Sequence, residues 1–371
     1  MDFLNHGSFG AVPRAVFDEQ TEWRRRVEAR PVETLARRGD ELIGVAKEAV
    51  GRWLGMKSGD FGLVTNATEG VNAVLRSLEL RPGDELLTTT HVYNAVRQAM
   101  KYVAGRSGAS YREVDVPLPI SRPDEAVDHV VRGISGRTRL VVIDHVTSPT
   151  ALIFPVEAIV RACTERGTNV LLDGAHAPAM LPLDVQRIGA AYYAGNLHKW
   201  SFAPRGAAFL WARPDRQAEL HPAVISHRLG EGIAREFAWQ GTRDVTAWLS
   251  VPRAIAFLSD LGEQRVREHN HALAVWAHRL LCDRWGVTPL SPADGSMLGS
   301  MATVALPGKL QGMDDAEGET FQRLLYSEHR IEVPVHRFAV RWVLRVSCQV
   351  YNTARQYERL AEVVNGLALR K

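Results

Sequence analysis

From about residue 60 to residue 211, short apolar runs alternate with stretches of helical periodicity. The apolar runs at 62–65, 85–88, 140–143, 169–172, 192–194 and 207–210 predict strands, and the segments around 69–78, 94–104 and 156–166 predict helices between them. Strands alternating with helices imply an α/β domain with a mostly parallel sheet, buried on both faces by helices. Ligands of such sheets bind beyond the carboxyl ends of the strands. After Gly241 the texture changes: a long helical pattern over about 247–284 gives way to a polar, Gly- and Pro-containing region near 291–318. A helix, a strand pair and a last helix follow, which predicts a smaller α+β C-terminal domain. The expected division is an N-terminal arm at 1–14, a large domain at 15–245 and a small domain at 246–371, with no internal repeat.

Composition narrows the partners. At 371 residues the chain exceeds one ordinary core, in agreement with two domains. A formal charge of +3 gives no reason to expect nucleic acid or an anionic membrane surface. The one basic run, Trp23-Arg24-Arg25-Arg26, lies in a segment with Val16, Gln20, Trp23 and Val27 at helical spacing, and reads as a solvated helix face. Cys163, Cys282 and Cys348 are far apart, which points to a reducing compartment and to no metal site. No apolar run approaches the roughly 20 residues of a membrane span, and the start of the chain lacks the basic and apolar regions of a signal peptide. A cytoplasmic location is the expectation.

The chemistry concentrates between Val170 and Gly206. Asp173 ends an apolar strand, where a carboxylate is expensive without a cationic partner. A protonated pyridinium nitrogen would be one, and holding it protonated makes a pyridine cofactor an electron sink. Lys199 follows a later strand in a Gly- and Pro-rich setting, where burial would deprotonate its amine for covalent work. Taken singly, Asp173 reads more simply as a helix cap and Lys199 as a surface cation. Their placement on successive strand ends is what favours function. A phosphate site could be supplied by Asn66-Ala67-Thr68-Glu69, where a strand runs into a helix start with free backbone N–H groups and a hydroxyl, although Asn and Thr also cap helices generally.

These segments, with Asp173-x-x-His176, Asn196-Leu197-His198-Lys199, Gly241-Thr242-Arg243-Asp244 and the stretch from Arg345 to Thr353, resemble the class V aminotransferase superfamily of fold-type I pyridoxal-phosphate (PLP) enzymes. The motifs at 4–10 and 144–150 are similar to the isopenicillin N epimerase-like branch, which also contains carbon–sulfur lyases. The resemblance implies PLP held covalently by Lys199, which also shuttles the Cα proton. It pairs Asp173 with the ring nitrogen and His176 with the phenolic oxygen. His91 matches a residue that stacks on the cofactor, with Tyr93 able to stack or act as an acid instead. Ala67, Thr68, Asn196 and His198 match phosphate-side positions, and Thr242 matches a residue donated by the neighbouring subunit of a homodimer. Arg345 would grip the substrate carboxylate, with Arg243 as a second candidate, and Asn5, His6 and Ser148 would line the substrate side.

The substrate would be an amino acid, a small molecule, and the branch resemblance favours an epimerase or racemase. A β-eliminating carbon–sulfur lyase is the alternative, with an aminotransferase behind it. A cysteine desulfurase would need a thiol in the loop before Arg345, and 331–338 holds none. His336 and Arg337 in that stretch read either as an entrance for an acidic group or as a solvated loop. No Gly-x-Gly-x-x-Gly follows a strand, against a dinucleotide enzyme. Intact Asp173, Lys199 and Arg345 argue against a purely binding role.

Overall fold

The computed structural model describes residues 1–370. In chain order the strands are β1 (Asp2–Phe3), β2 (Phe61–Val64), β3 (Glu85–Thr89), β4 (Ser110–Val114), β5 (Thr138–Asp144), β6 (Asn169–Asp173), β7 (Tyr192–Asn196), β8 (Ala208–Ala212), β9 (Met301–Ala305), β10 (Ile331–Glu332), β11 (Val335–Phe338) and β12 (Arg341–Ser347). Seven of them form one sheet in the order β2–β8–β7–β6–β5–β3–β4. It is parallel from β7 to β4, while β8 runs antiparallel to both of its neighbours. The mostly parallel sheet expected from the apolar runs is present.

Period-two alternation sends side chains to two cores. Val141, Ile143, Val170, Leu172, Phe209 and Trp211 join one core, which also takes Ile43, Val50, Ile159 and Val160 from the helices Gly39–Leu54 and Val156–Thr164. Leu140, Val142, Leu171, Ala208 and Leu210 join the other, with Val71 and Val74 of Ala67–Ser77 and Val96 and Met100 of Asn94–Ser107. Each such Leu, Val or Ile contributes about 1.5–3 kcal/mol by burial, so both faces must stay covered.

Several elements escape the hydrophobic pattern, among them two strands and a helix. β4 is an edge strand with alternating exposure, the helix Pro123–Gly133 lies in a polar stretch, and β9 sits inside the Gly/Pro-rich region. β9 pairs with β12, which pairs with β11, to form the small-domain sheet. The helical pattern over 247–284 is divided into Thr246–Leu249, Val251–Leu261 and Glu263–Trp285, with Gly262 at φ 82° between the last two. Val251 and Ala254 belong to the large-domain core, whereas the small-domain core takes up the chain from Ala274. Along this stretch one core thus extends through Ala254, and the other begins at Ala274.

The N-terminal arm belongs to the small domain by contact: β1 pairs with β10, and Leu4 enters the small-domain core. The short helix His6–Phe9 then carries the chain across the loop that holds Lys199. Gly10 closes this helix at φ 65°, and a Cβ there would stand 2.5 Å from the His198 carbonyl oxygen and 2.8 Å from that of Lys199. Both obstacles are backbone, and the φ itself disfavours a side chain. Gly10→Ala is expected to lower stability by about 1–3 kcal/mol, read as a fall in Tm, with a parallel loss of activity because the Lys199 loop is displaced.

The basic run lies on the helix Arg14–Ala29 with Arg24, Arg25 and Arg26 exposed and paired to Asp244 and Glu22, a solvated face as expected. All three cysteines are buried, and burial pushes each thiol up to about 12. No helix among the described residues is long and apolar enough to cross a membrane.

Candidate active site

The carboxyl ends of β3, β5, β6 and β7 converge on a cavity of about 480 Å³, which Tyr93, Asp144, Asp173 and Lys199 all line. Asp173 closes β6 and accepts the Ala175 N–H at 2.9 Å. Burial raises its carboxyl above the ordinary range, opposed by that hydrogen bond and by Lys199. Asp144 closes β5 directly opposite Asp173, and burial and the Asp173 charge raise it well above the ordinary value. Lys199 follows β7, and its Nζ lies 3.2 Å from His176 Nε2. Burial, then the Arg345 charge, bring the amine down to about 7 against the pull of Asp173 and Asp144.

The protonation pattern is consistent. Trp200 donates its indole N–H to His176 Nδ1 at 3.3 Å, which leaves the His176 proton on Nε2. Burial, with Lys199 next, holds that imidazole well below its usual pKa, so it is neutral. A neutral N–H facing Nζ suits an unprotonated lysine amine. The site thus holds two buried carboxylates with only a weakly charged amine beside them.

At a second side of the cavity the helix Ala67–Ser77 begins. Asn66 caps it by accepting the Glu69 N–H at 2.8 Å. Asn196 accepts the Ala67 N–H at 2.7 Å, so its carbonyl oxygen serves the helix start. Thr68, His198 and Arg205 line the same side, and His198 donates from Nδ1 to the Ala207 carbonyl at 3.0 Å. Arg205 carried no signal in the sequence beyond its place after Pro204. Thr242 is exposed and outside the cavity of a single chain.

Arg345, buried on β12, lines the neighbouring larger cavity and meets this one through Ser148 and Ser8. Its Nη1 donates to the Ser148 carbonyl at 2.5 Å and to the Ser148 hydroxyl at 3.0 Å, and its Nη2 donates to the Ser8 hydroxyl at 3.3 Å. Ser8 donates in turn to Asn5 Oδ1 at 2.6 Å, and Asn5 Nδ2 donates to Glu332 at 3.1 Å. Asn5 therefore reaches the site only through Ser8. Among the described residues Arg345 Nε has no hydrogen-bond partner, and burial lowers this guanidinium to about 10. Nothing here offers it a carboxylate, which is what a bidentate fork favours.

Several expected residues stand elsewhere. His91 is fully buried and does not line the cavity, in contrast to the expectation that it stacks on a cofactor there. Its ring lies against Phe338 and Phe154, with Nε2 donating to the Val116 carbonyl at 2.7 Å and Nδ1 joined to the Thr150 hydroxyl at 2.6 Å. Tyr93, not His91, forms the wall. His6 is also buried, donating from Nε2 to the Lys199 carbonyl at 3.1 Å and accepting from the Tyr351 hydroxyl at 2.8 Å. It supports the lysine backbone rather than the cavity wall. Arg243 sits 3.7 Å from Glu69 and 5.3 Å over the Trp248 ring, lining neither cavity. A larger cavity of about 640 Å³ adjoins the first through Tyr93 and Ser148, and is lined also by Arg97, His336, Arg337 and Arg345. His336 donates to the Pro149 carbonyl at 2.9 Å.

Paired buried carboxylates, a lysine amine near neutrality, a helix start with hydroxyl and cationic neighbours, and a buried arginine fork are together the parts of an enzyme built around a lysine-bound, phosphorylated pyridine. The chain belongs to the aminotransferase class-V family, whose model matches residues 9–360. It is 35% identical over 380 residues to the isopenicillin N epimerase of Streptomyces clavuligerus, covering 98% of this chain and 94% of that one. It is 32% identical over 401 residues to the putative L-cysteine desulfhydrase 1 of Oryza sativa subsp. japonica, covering 98% and 82%. Among solved structures, a complex of the cystine C-S lyase C-DES with its reaction product cysteine persulfide superposes with a TM-score of 0.83 at 20% identity, over 98% of this chain and 96% of that one. That likeness bears on the fold, which is the fold-type I arrangement expected.

The cofactor is pyridoxal phosphate, and the residues fit it. Asp173 meets the requirement for an anion at the ring nitrogen, Lys199 for the covalent amine, and His176 for a donor beside it. Thr68, His198 and Arg205 suit the phosphate. Desulfurase chemistry through a loop thiol finds no support, since β10 and β11 carry none and the three thiols are buried.

Proposed function

We propose that the protein is a PLP-dependent epimerase that inverts the α-carbon of an amino acid with a bulky side chain. The observation that carries this reading is that two proton-bearing side chains, Lys199 and Tyr93, line one cavity. In the sheet, β7 and β3 flank the pair β6 and β5, so the segments that carry Lys199 and Tyr93 leave strands on either side of those ending in Asp173 and Asp144. Bound PLP supplies the electron sink that stabilises Cα once its proton has left. Arg345 holds the substrate carboxylate and thereby orients the Cα–H bond. Lys199, released by the substrate amine and poised near pH 7, removes or returns the proton on its side. The Tyr93 hydroxyl does the same on the other side, which inversion requires.

The larger cavity supports a bulky side chain, of the size that the name of the Streptomyces relative indicates. A cysteine side chain, one methylene and a thiol, would leave most of the 640 Å³ unused, which disfavours the lyase reading drawn from the Oryza relative. The site is completed in a homodimer, where the exposed Thr242 reaches the phosphate side of the partner's cavity, and the enzyme works in the cytoplasm.

The PLP-loaded enzyme, incubated in deuterated water with both enantiomers of amino acids of increasing side-chain size, is expected to give inverted product carrying deuterium at Cα. Release of pyruvate and sulfide from L-cysteine, with no inversion of any substrate, would overturn the reading. Tyr93→Phe is expected to lower inversion by about 10²–10⁴-fold. Exchange of the Lys199-side proton in one enantiomer should persist in that variant, as chiral chromatography with mass spectrometry would show.

A further inference from the structure

Asp144 lies in the same cavity as Asp173 and Lys199, yet the proposed reaction gives it no part. It is the residue directly paired with Asp173 across two parallel strands. Paired positions on neighbouring strands point to the same face at a spacing of about 5 Å. Each carboxylate has one backbone donor, Tyr93 N–H to Asp144 Oδ2 at 3.1 Å and Ala175 N–H to Asp173 Oδ1 at 2.9 Å. Among the described residues, Asp144 Oδ1 and Asp173 Oδ2 accept no hydrogen bond.

Two buried carboxylates on adjacent paired positions repel, and after burial the Asp173 charge is the next cause that raises the Asp144 carboxyl. Such a pair is costly unless a cation lies between them. Lys199 is the nearest cationic side chain, and its amine is near neutrality and committed to covalent work. Arg97, the other positive charge felt by Asp144, is ion-paired with Glu113 at 2.7 Å.

We propose that Asp144 is a second carboxylate for the ring nitrogen of PLP, so that a pair holds the pyridinium rather than Asp173 alone. The inference rests on the PLP reading and extends it. A doubled anion keeps the ring nitrogen protonated more firmly than Asp173 alone would. It also links the cofactor to Tyr93, whose backbone N–H Asp144 holds at the start of the helix Asn94–Ser107.

Asp144→Asn separates this role from a structural one, because the amide oxygen still accepts the Tyr93 N–H while the charge is gone. The variant is expected to keep the parent's Tm within a few degrees, to bind PLP roughly tenfold or more weakly, and to shift the visible band of the bound cofactor. With the analogue of PLP that carries a carbon in place of the ring nitrogen, parent and variant should bind alike, since there is no nitrogen charge to hold. Unchanged PLP affinity and an unchanged band would overturn the proposal, as would an equal loss for PLP and its analogue. Asp144→Glu, which keeps the charge, should hold PLP within a few-fold of the parent, and a folded Asp144→Glu that binds PLP roughly tenfold or more weakly would count against the proposal. A parent that shows no visible band with PLP would sink the cofactor reading itself, and this inference with it.

Discussion

Lys199→Ala is expected to reduce turnover by about 10³–10⁴-fold or more, since it removes both the covalent amine and one of the two proton carriers. The visible band of lysine-bound PLP should be absent from the variant even when PLP is retained through Asp173, His176 and the phosphate-side residues. Lys199→Arg should be equally inactive, because a guanidinium keeps its proton and forms no covalent link at neutral pH. The cofactor-free protein offers a second readout. The Lys199 amine lies at about 7 in the folded chain, against an ordinary value of 10.5. Between those two values the unfolded chain binds the extra proton, so stability from this residue rises with pH across that window. At and below pH 7 the full penalty of burying the charge is present. Cofactor-free Lys199→Ala lacks this contribution, and its Tm should rise less than the parent's between pH 7 and pH 9. Turnover within tenfold of the parent would remove Lys199 from the mechanism.

What was legible from the sequence follows from physical contrast. Asp173, Lys199 and Arg345 are charged side chains in or beside apolar strands, where burial is costly without a task. Asp144 carried the same signal, a carboxylate at the end of an apolar run, and its partner Tyr93 N–H lies 51 positions away in the chain. The central strands were legible because both faces of a parallel sheet are buried. β9 was not, because its short apolar run is embedded in a Gly- and Pro-rich stretch that signals loop. The direction in which a ring turns is set by distant neighbours. His91 and Tyr93 stand two residues apart, and it is Phe154 and Phe338 that take the His91 ring and leave the wall to Tyr93. Asn5 and His6 were expected to line the substrate side, but which atoms they support depends on Ser8, Tyr351 and Lys199, contacts made across the whole chain.

Arg345→Lys is expected to raise KM by about 10²–10³-fold while kcat changes by less than about tenfold, because a planar fork and a point charge differ at such a site. Arg345 already uses Nη1 for Ser148 and Nη2 for Ser8, with Nε unpartnered. A lysine ammonium could not keep those contacts and also meet both oxygens of a carboxylate. Losing one partner of a buried charge pair costs about 2–5 kcal/mol, which is the size of that KM change. Arg345→Gln should do more, because the Arg345 charge is also the second cause, after burial, of the low Lys199 pKa. Without it the amine stays protonated to higher pH. Capture of PLP by the cofactor-free protein, followed by the growth of the visible band, needs the neutral amine. Its rate should rise through about pH 7 in the parent and through a higher pH in Arg345→Gln. If both variants bound substrate as the parent does, and the capture profile stayed in place, Arg345 would be a structural cation and the substrate carboxylate would have to be held elsewhere.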